Sequence, residues 1–339
     1  MRKDLVRGIG CFMGMLLLII DAKTAILGAQ EAITLCLQSV IPSLFPFLIL
    51  SGIITSSITA MPIPQLRPLQ RLFGVPAGAE GIVLTGLVAG YPVGAQLVAH
   101  AYENGQLTQN DAKRMLGFCS NCGPAFIFGI LGAKFAESWM VWSLWSTHIL
   151  SALLVAAILP GKSRGKIHKV FGKTITLTES LKNATKTICY ICGWVVLFRI
   201  ILSFLDRWVL WLVPAEVRTV IYGIFELTNG CCQLELVNLP GLRYILCSGL
   251  LAFGGICVTM QTISVTSSLG LGKYLPGKLL QTLVSVVISY FLQSFLFPVD
   301  QRVCFSPIFG WLSVLFILTG CILWLNLKIR GRNPIEISV

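Results

Sequence analysis

The sequence predicts an all-α polytopic membrane protein, and three observations support this fold class. Apolar residues make up 55% of the 339-residue chain and charged residues only 12%, whereas soluble domains carry about 25% charged residues. Several stretches are long enough to cross a hydrocarbon core roughly 30 Å thick as helices, and the clearest are residues 138–160, 185–205, 279–298 and 305–327. Leu, Ile and Val follow one another in them without alternation, which disfavours a β-barrel and leaves helices.

The positive charges indicate topology rather than nucleic-acid binding. The formal net charge is +12, but the cations lie at segment ends and form no stripe interleaved with aromatic residues. The densest cluster comprises Lys162, Arg164, Lys166, Lys169 and Lys173. Because loops rich in Lys and Arg stay in the cytoplasm, this loop should be cytoplasmic. Both termini are also basic, so both are expected inside, which requires an even number of crossings.

These features divide the chain into two halves joined by the basic loop. The predicted units are an N-terminal transmembrane helix (1–30), a first repeat (31–160), a basic cytoplasmic loop (161–178), a second repeat (179–300), and a C-terminal transmembrane helix with a basic tail (301–339). The first helix, over residues 6–27, is expected to remain uncleaved, because residues 21–24 make a poor signal-peptidase site.

The first repeat is predicted to contain two interruptions. It begins with a helix over residues 32–55 that Pro42 and Pro46 should bend. Residues 81–101 are apolar but rich in Gly and Pro, which favours a re-entrant hairpin. Thr108 should cap a short amphipathic surface helix. A broken helix is then expected over 119–135, interrupted before Ala125, and a crossing over 138–160 completes the repeat.

The second repeat restates this plan. A crossing over residues 185–205 precedes a second hairpin at 220–237, interrupted around 226–230, and a broken helix at 242–270, interrupted at Gly254-Gly255. If the basic loop is cytoplasmic, the two hairpins enter from opposite sides, so the repeats are inverted, as in secondary transporters. A chance parallel is the alternative, because the halves share hydropathy and break positions rather than evident sequence identity.

Enzymatic and metal sites are not expected. The three histidines, at positions 100, 148 and 168, accompany no nucleophile motif, phosphate loop or His-Glu-x-x-His pattern. The two Cys-x-x-Cys pairs, Cys119/Cys122 and Cys189/Cys192, have no second ligand pair nearby, and cysteine in an apolar run behaves as a small hydrophobe. We therefore assign no metal and no cofactor.

Glu226 is the most informative ionisable residue. It lies in an apolar segment beside Thr228, Asn229 and Gly230, where an unpaired carboxylate is costly and a functional role is the default hypothesis. The alternative is a water-exposed helix end outside the membrane interior. If internal, Glu226 could bind a substrate donor or accept a coupling proton.

The helix breaks predict a preference for anions. A helix that restarts inside the membrane presents free N–H groups and a positive dipole end, although glycines can also serve only close helix packing. The candidate substrate-binding residues are Gly90, Tyr91, Pro92, Gly94, Gln96, Ser120, Asn121, Gly123, Pro124, Glu226, Thr228, Asn229, Gly230, Gly254, Gly255, Gln261 and Thr262.

Four motifs carry a resemblance to a known family. They are GYPVGA at residues 90–95, SNCGPAFI at 120–127, FELTNG at 225–230, and FGG at 253–255 followed by Gln261. Together they resemble YlbJ/SpoVV-type sporulation membrane proteins over roughly residues 41–292. The resemblance implies nucleoside-recognition (Gate) domains and a broken-helix plan similar to concentrative nucleoside transporters. Residues 256–259 depart from the family pattern, which has a more polar Ser and His there, and this concerns the solute more than the fold.

The resemblance also implies a function. It suggests a multi-pass protein of a spore-forming bacterium that carries dipicolinate across the outer forespore membrane. The expected partners are a small-molecule solute, the lipid bilayer and a second copy in a homo-oligomer, with a proton or sodium ion as the coupling ion and no nucleic acid. A nucleoside-type carrier and a non-transporting sporulation scaffold are the alternatives.

Overall fold

The computed structural model describes residues 2–58, 70, 72–132, 134–135, 137–161, 167 and 175–303. Within these ranges the regular structure is helical, without a β-strand, which confirms the predicted all-α class. Among the residues that the structure describes, five helices are long and apolar enough to cross a membrane: Ala22–Ile54, Ser138–Ile158, Leu177–Trp208, Pro240–Val265 and Tyr274–Leu296. The predicted C-terminal crossing and nearly all of the basic loop lie outside the described residues.

The N-terminal region differs from the expected helix over residues 6–27. Helix α1 (Arg2–Ile20) ends before Asp21, and the Asp21 carboxylate accepts a hydrogen bond from Thr24 N, which caps α2 (Ala22–Leu35). The chain then continues through a π-helical turn, Cys36–Val40, into α3 (Ile41–Ile58). The widened turn directly precedes Pro42, which has no N–H to donate. The second helix therefore starts well before residue 32, and its π-helical turn lies ahead of both prolines.

Two short helices form a hairpin in the first half. Helix α4 (Glu80–Val88) and α5 (Val93–Glu103) are joined by a turn in which Gly90 has a φ of +85°. A Cβ atom on Gly94 would lie 3.1 Å from the Gly86 Cα and would also overlap the Cys119 carbonyl oxygen. Glycine at these positions therefore allows the two arms to touch each other and the segment that follows.

The rest of the first half contains the first helix break. Thr108 accepts a hydrogen bond from Asp111 N at 3.2 Å, which confirms the predicted cap of α6 (Gln109–Met115). Residues 119–123 are then non-helical. The helix restarts as α7 (Pro124–Phe126), widens into the π-helical turn Ile127–Leu131, and is followed by α8 (Ser138–Ile158).

The second half has the same order of elements. These are α9 (Leu177–Trp208), α10 (Ala215–Phe225), α11 (Leu227–Gln233), α12 (Pro240–Phe253), α13 (Gly255–Val265) and α14 (Tyr274–Leu296). Helices α10 and α11 pack closely because Gly230 lies against the Gly223 backbone. Gly254 adopts a left-handed conformation between α12 and α13. Two short helices and a broken helix thus follow a long helix, as in the first half.

Contacts between the halves join corresponding elements. The long helix α9 packs along α2 and α3, and α8 packs against α14. The π-helical turn contributes Cys36 and Val40 to an apolar cluster with Ile188 and Val195 of α9. Long helices of one half therefore pack directly against long helices of the other half.

Arg114, near the C-terminal end of α6, joins two segments of the first half through buried hydrogen bonds. Its side chain is fully buried, and its guanidinium donates to the carbonyl oxygens of Phe73 (2.5 Å), Gly74 (3.1 Å), Ala156 (2.6 Å) and Leu159 (3.2 Å). The last two carbonyls belong to the C-terminal end of α8, where free carbonyl groups require donors. One side chain therefore ties the approach to the first hairpin to the end of α8.

We expect Arg114→Met to lower the free energy of unfolding by on the order of 3 kcal/mol, because buried carbonyl oxygens lose their donors. Thermal denaturation of the detergent-solubilised protein, followed by size-exclusion chromatography, measures the loss. Lys113→Met, on the same helix turn, controls for removal of a positive charge. Equal stability of the two variants would contradict the proposed role of Arg114 in joining these segments.

Candidate functional site

A small, partly open cavity of about 50 Å³ lies where the two hairpins approach α3 and α9. Both hairpin tips line it, and so do the helical segments that follow both breaks. The lining residues are Val40, Leu44, Phe47, Leu48, Ala89, Gly90, Tyr91, Cys122, Gly123, Ala125, Phe126, Ile191, Val195, Glu226, Leu227, Thr228, Val258 and Gln261. The wall is therefore mostly apolar, with a few polar groups at the tips and breaks, as in small-molecule sites.

Each hairpin tip meets the break of its own half through glycine. A Cβ atom on Gly123 would lie 2.9 Å from the Gly90 Cα, and one on Gly255 would lie 2.9 Å from the Gly223 carbonyl oxygen. Both distances are too short for a side chain, so the backbones are in direct contact. Each tip is therefore packed against the break of its own half, and residues of both halves line the same cavity.

Tyr91 connects the first hairpin with the second break. Its hydroxyl donates to the Leu251 carbonyl oxygen at 3.2 Å, close to the end of α12. Its ring lies against Gly254, where a Cβ atom would be 3.1 Å from the tyrosine Cζ. Since the same side chain lines the cavity, it forms both part of the wall and a link between the halves.

Glu226 is buried, with 2% of its surface exposed, so the alternative of a water-exposed helix end does not describe it. It has an extended backbone between α10 and α11 and caps α11. Its carboxylate accepts hydrogen bonds from Thr228 N (3.0 Å), Asn229 N (2.7 Å) and Asn229 Nδ2 (2.7 Å). The charge is thus compensated by donors at a helix start, and the residue also faces the cavity.

Side chains from two other helices satisfy the first break. Asn121 donates to the carbonyl oxygens of Phe118 (2.7 Å) and Gly86 (3.3 Å), and its own oxygen accepts from Gln281 Nε2 at 3.0 Å. The Cys122 N–H donates to His148 Nε2 at 3.0 Å. His148 is therefore a hydrogen-bond acceptor for the broken backbone, and its other ring nitrogen is buried without a partner among the described residues.

Lys278 is a buried cation that the sequence analysis missed. Its side chain is 1% exposed, and its ammonium donates to the Tyr91 hydroxyl at 3.0 Å and to Gln281 Oε1 at 2.8 Å. The apolar run predicted over residues 279–298 begins just after Lys278, so the sequence indicates only a flanking position for this lysine. The one sequence feature that indicates burial of Lys278 is the neighbouring Gly277. Because Gly277 has no side chain, this turn of α14 contacts the Gly117 backbone closely and is buried there.

The structure distributes the predicted site residues over three positions. Gly90, Tyr91, Gly123, Glu226, Thr228 and Gln261 line the cavity. Behind this wall, buried or at a tip or break, lie Pro92, Gly94, Ser120, Asn121, Pro124, Asn229, Gly230, Gly254, Gly255 and Thr262. Gln96 is exposed on α5 and lies outside the cavity wall.

The described residues provide no cluster of three or more His, Cys, Asp or Glu side chains suited to a metal ion. Within the same ranges the cysteines of both Cys-x-x-Cys pairs are free. Cys122 lines the cavity, whereas Cys189 is exposed on α9. The two pairs therefore lie in different environments, and only the first is near the site.

We expect Asn121→Leu to destabilise the protein by roughly 2–4 kcal/mol, because two carbonyl groups and the Gln281 amide lose their partner in a buried position. Melting in detergent measures this loss. Asn110→Leu, at an exposed position on α6, is the matched control and should change stability by less than about 0.5 kcal/mol. A similar effect at both positions would refute the proposed role of the network.

Comparisons with known proteins found one informative similarity. The chain is 25% identical over 288 residues to the sporulation integral membrane protein YlbJ of Bacillus subtilis (strain 168), which covers 70% of each chain. No family model matches the sequence, and no solved structure matches it. The apolar helices and this similarity together establish a multi-pass membrane protein that is similar to a sporulation protein.

Proposed function

We propose that the protein is a secondary transporter for a small polar or anionic solute. The observation that carries the proposal is that both hairpin tips and both post-break helices line one cavity. Discontinuous helices at the middle of a membrane protein are typical of substrate sites in transporters, because their backbone groups can bind the solute.

The order of elements supports two repeats. In each half a long helix precedes a hairpin, a broken helix and another long helix. A short sequence pattern also recurs at the hairpins. Val75-Pro76-Ala77 and a following Glu80 in the first half correspond to 213–215 and Glu216 in the second, and Gln96-Leu97 corresponds to 233–234. The glycine pairs that close the hairpins lie between these positions.

The basic loop favours an inverted relation between the repeats. Since α8 leads into this loop and α9 leads out of it, a cytoplasmic loop makes the two helices run in opposite directions across the membrane. We propose that corresponding elements of the halves then enter from opposite sides, with both hairpins re-entrant and approaching the cavity from different faces. This arrangement provides two gates on one site, which alternating access requires.

The size of the cavity favours a closed conformation. Its volume is about 50 Å³, whereas an apolar cavity that binds benzene has a volume of roughly 150 Å³. A ring-bearing solute therefore enters only after a hairpin moves away from the opposite half. We propose dipicolinate as the first solute to test, with transport across the outer forespore membrane and with a proton or sodium ion as the coupling ion.

The Glu226 substitution tests the transport mechanism. We expect Glu226→Gln to reduce dipicolinate uptake into proteoliposomes by at least about tenfold, because the neutral amide weakens the α11 cap beside the cavity. Glu235→Gln is the matched control on the same hairpin, since Glu235 is exposed and forms a surface ion pair with Lys134, and such pairs contribute little to stability. Unchanged uptake by the Glu226 variant would reject the role.

The second break distinguishes a transporter from a scaffold. Gly254 and Gly255 have φ angles of +80° and +85°, and alanine at each costs about 1–3 kcal/mol in such a conformation. We expect the double alanine variant to insert into membranes but to lose transport of labelled dipicolinate. Gly193→Ala is the control, because nothing lies within 4 Å of a Cβ atom there. Transport equal to that of the control would contradict the site, and competition by uridine instead of dipicolinate would identify a nucleoside carrier.

A further inference from the structure

Lys278 lies one side chain behind the cavity wall. Its ammonium contacts the hydroxyl of Tyr91 and stands 4.9 Å from the centre of the tyrosine ring, while Tyr91 itself lines the cavity. The lysine belongs to α14, in a different element from the hairpin tips and the breaks. It is therefore a separate group that reaches the site through Tyr91.

The charge of this lysine has no carboxylate partner among the described residues. The ion pairs found there join Lys134 to Glu235, Arg199 to Glu31 and Arg207 to Asp21. Lys278 instead donates to two neutral acceptors, the Tyr91 hydroxyl and the Gln281 amide oxygen. An ammonium has three N–H donors, so one remains available for a further acceptor.

Gln281 holds the lysine in this position. The oxygen of its side-chain amide accepts from Lys278, and the nitrogen donates to Asn121 Oδ1 at 3.0 Å and to the His148 carbonyl oxygen at 3.3 Å. The ammonium is thereby attached to the same network that satisfies the first break. A buried cation that is held by neutral groups in an apolar protein interior is expensive, and such residues mark ion or substrate pathways.

We infer that Lys278 is the counter-charge for a carboxylate of the solute, and that Tyr91 moves aside to expose it. This inference deepens the proposed transport function and rests on it. The carboxylate would accept the remaining N–H and compensate the charge that Tyr91 and Gln281 leave unbalanced. The solute class is then a small organic anion rather than an uncharged nucleoside.

The nearby carboxylate of Glu226 is compatible with Lys278 as the counter-charge for the solute. Its carboxylate already accepts three hydrogen bonds from Thr228 and Asn229 at the start of α11. Those donors compensate its negative charge within the second hairpin, whereas Lys278 has no such compensation. The ionisable side chain that keeps an open hydrogen-bonding position beside the cavity is therefore Lys278.

Two substitutions separate the charge of Lys278 from its hydrogen bond. Lys278→Met and Tyr91→Phe both remove the bond between these side chains, but only Lys278→Met removes the charge. The readout is the ratio of uptake of dipicolinate to uptake of its uncharged diamide, pyridine-2,6-dicarboxamide, in proteoliposomes. We expect the wild type and Tyr91→Phe to prefer dipicolinate, and Lys278→Met to lower this ratio by at least about tenfold.

Two further variants complete the comparison. Lys182→Met removes an exposed positive charge on α9 and should leave the ratio unchanged. Lys278→Gln removes the charge but keeps a donor for the Tyr91 hydroxyl, so it replaces the methionine variant if that variant does not fold. Stabilisation of the purified protein against heat by dipicolinate, relative to the diamide, gives a second readout that does not depend on transport.

The outcomes distinguish this inference from the function on which it rests. An equal loss in Lys278→Met and Tyr91→Phe would show that the lysine acts only through its hydrogen bond, which overturns the inference. A wild-type preference for the diamide or for uridine would also overturn it and leave a transporter of neutral solutes. The absence of uptake and of heat stabilisation with dipicolinate, its diamide and uridine alike would overturn both proposals together.

Discussion

The structure depends on one constraint: backbone groups released where a helix breaks must be paired by other parts of the protein, because lipid offers no hydrogen bonds. At the first break, Asn121 and His148 supply these partners from within the protein. At the second, the left-handed Gly254 turns the chain while its N–H still bonds to Leu250. The hairpins press against both breaks through glycine contacts. The backbone polar groups of both breaks therefore lie inside the protein, at the candidate site, and do not face lipid.

The sequence predicted those parts of the fold that residue types determine locally. Gly and Pro restrict or release the backbone themselves. The sequence therefore predicts a hairpin over residues 81–101 and a break at Gly254-Gly255, and the structure has a turn at Gly90 and a left-handed Gly254. The division at Asp21 was not predicted, because a single aspartate cap competes weakly with a long apolar run. Lys278 was also missed, since its burial depends on a distant contact between Gly277 and Gly117. Tertiary packing of this kind leaves little signal in one segment.

Glu226 illustrates how one residue can serve two purposes. The sequence showed only that a carboxylate in an apolar segment needs compensation. The structure supplies that compensation from the donors of the helix start, which explains how the charge remains buried without a cation. The same three hydrogen bonds occupy much of the acceptor capacity of the carboxylate. Its influence on a solute would therefore act through the position of the hairpin more than through direct binding.

Opening the cavity would require an exchange of partners at Tyr91. This side chain bonds to the Leu251 carbonyl oxygen and to Lys278, so a movement of the first hairpin breaks contacts with α12 and α14 together. In a dry interior the Lys278 ammonium would keep only Gln281 as a partner unless a second acceptor arrived. An anionic solute provides that acceptor, whereas an empty site favours the return of Tyr91. The free energy required to expose Lys278 thus couples opening of the cavity to the presence of a charged solute. A neutral solute would not offset that free energy.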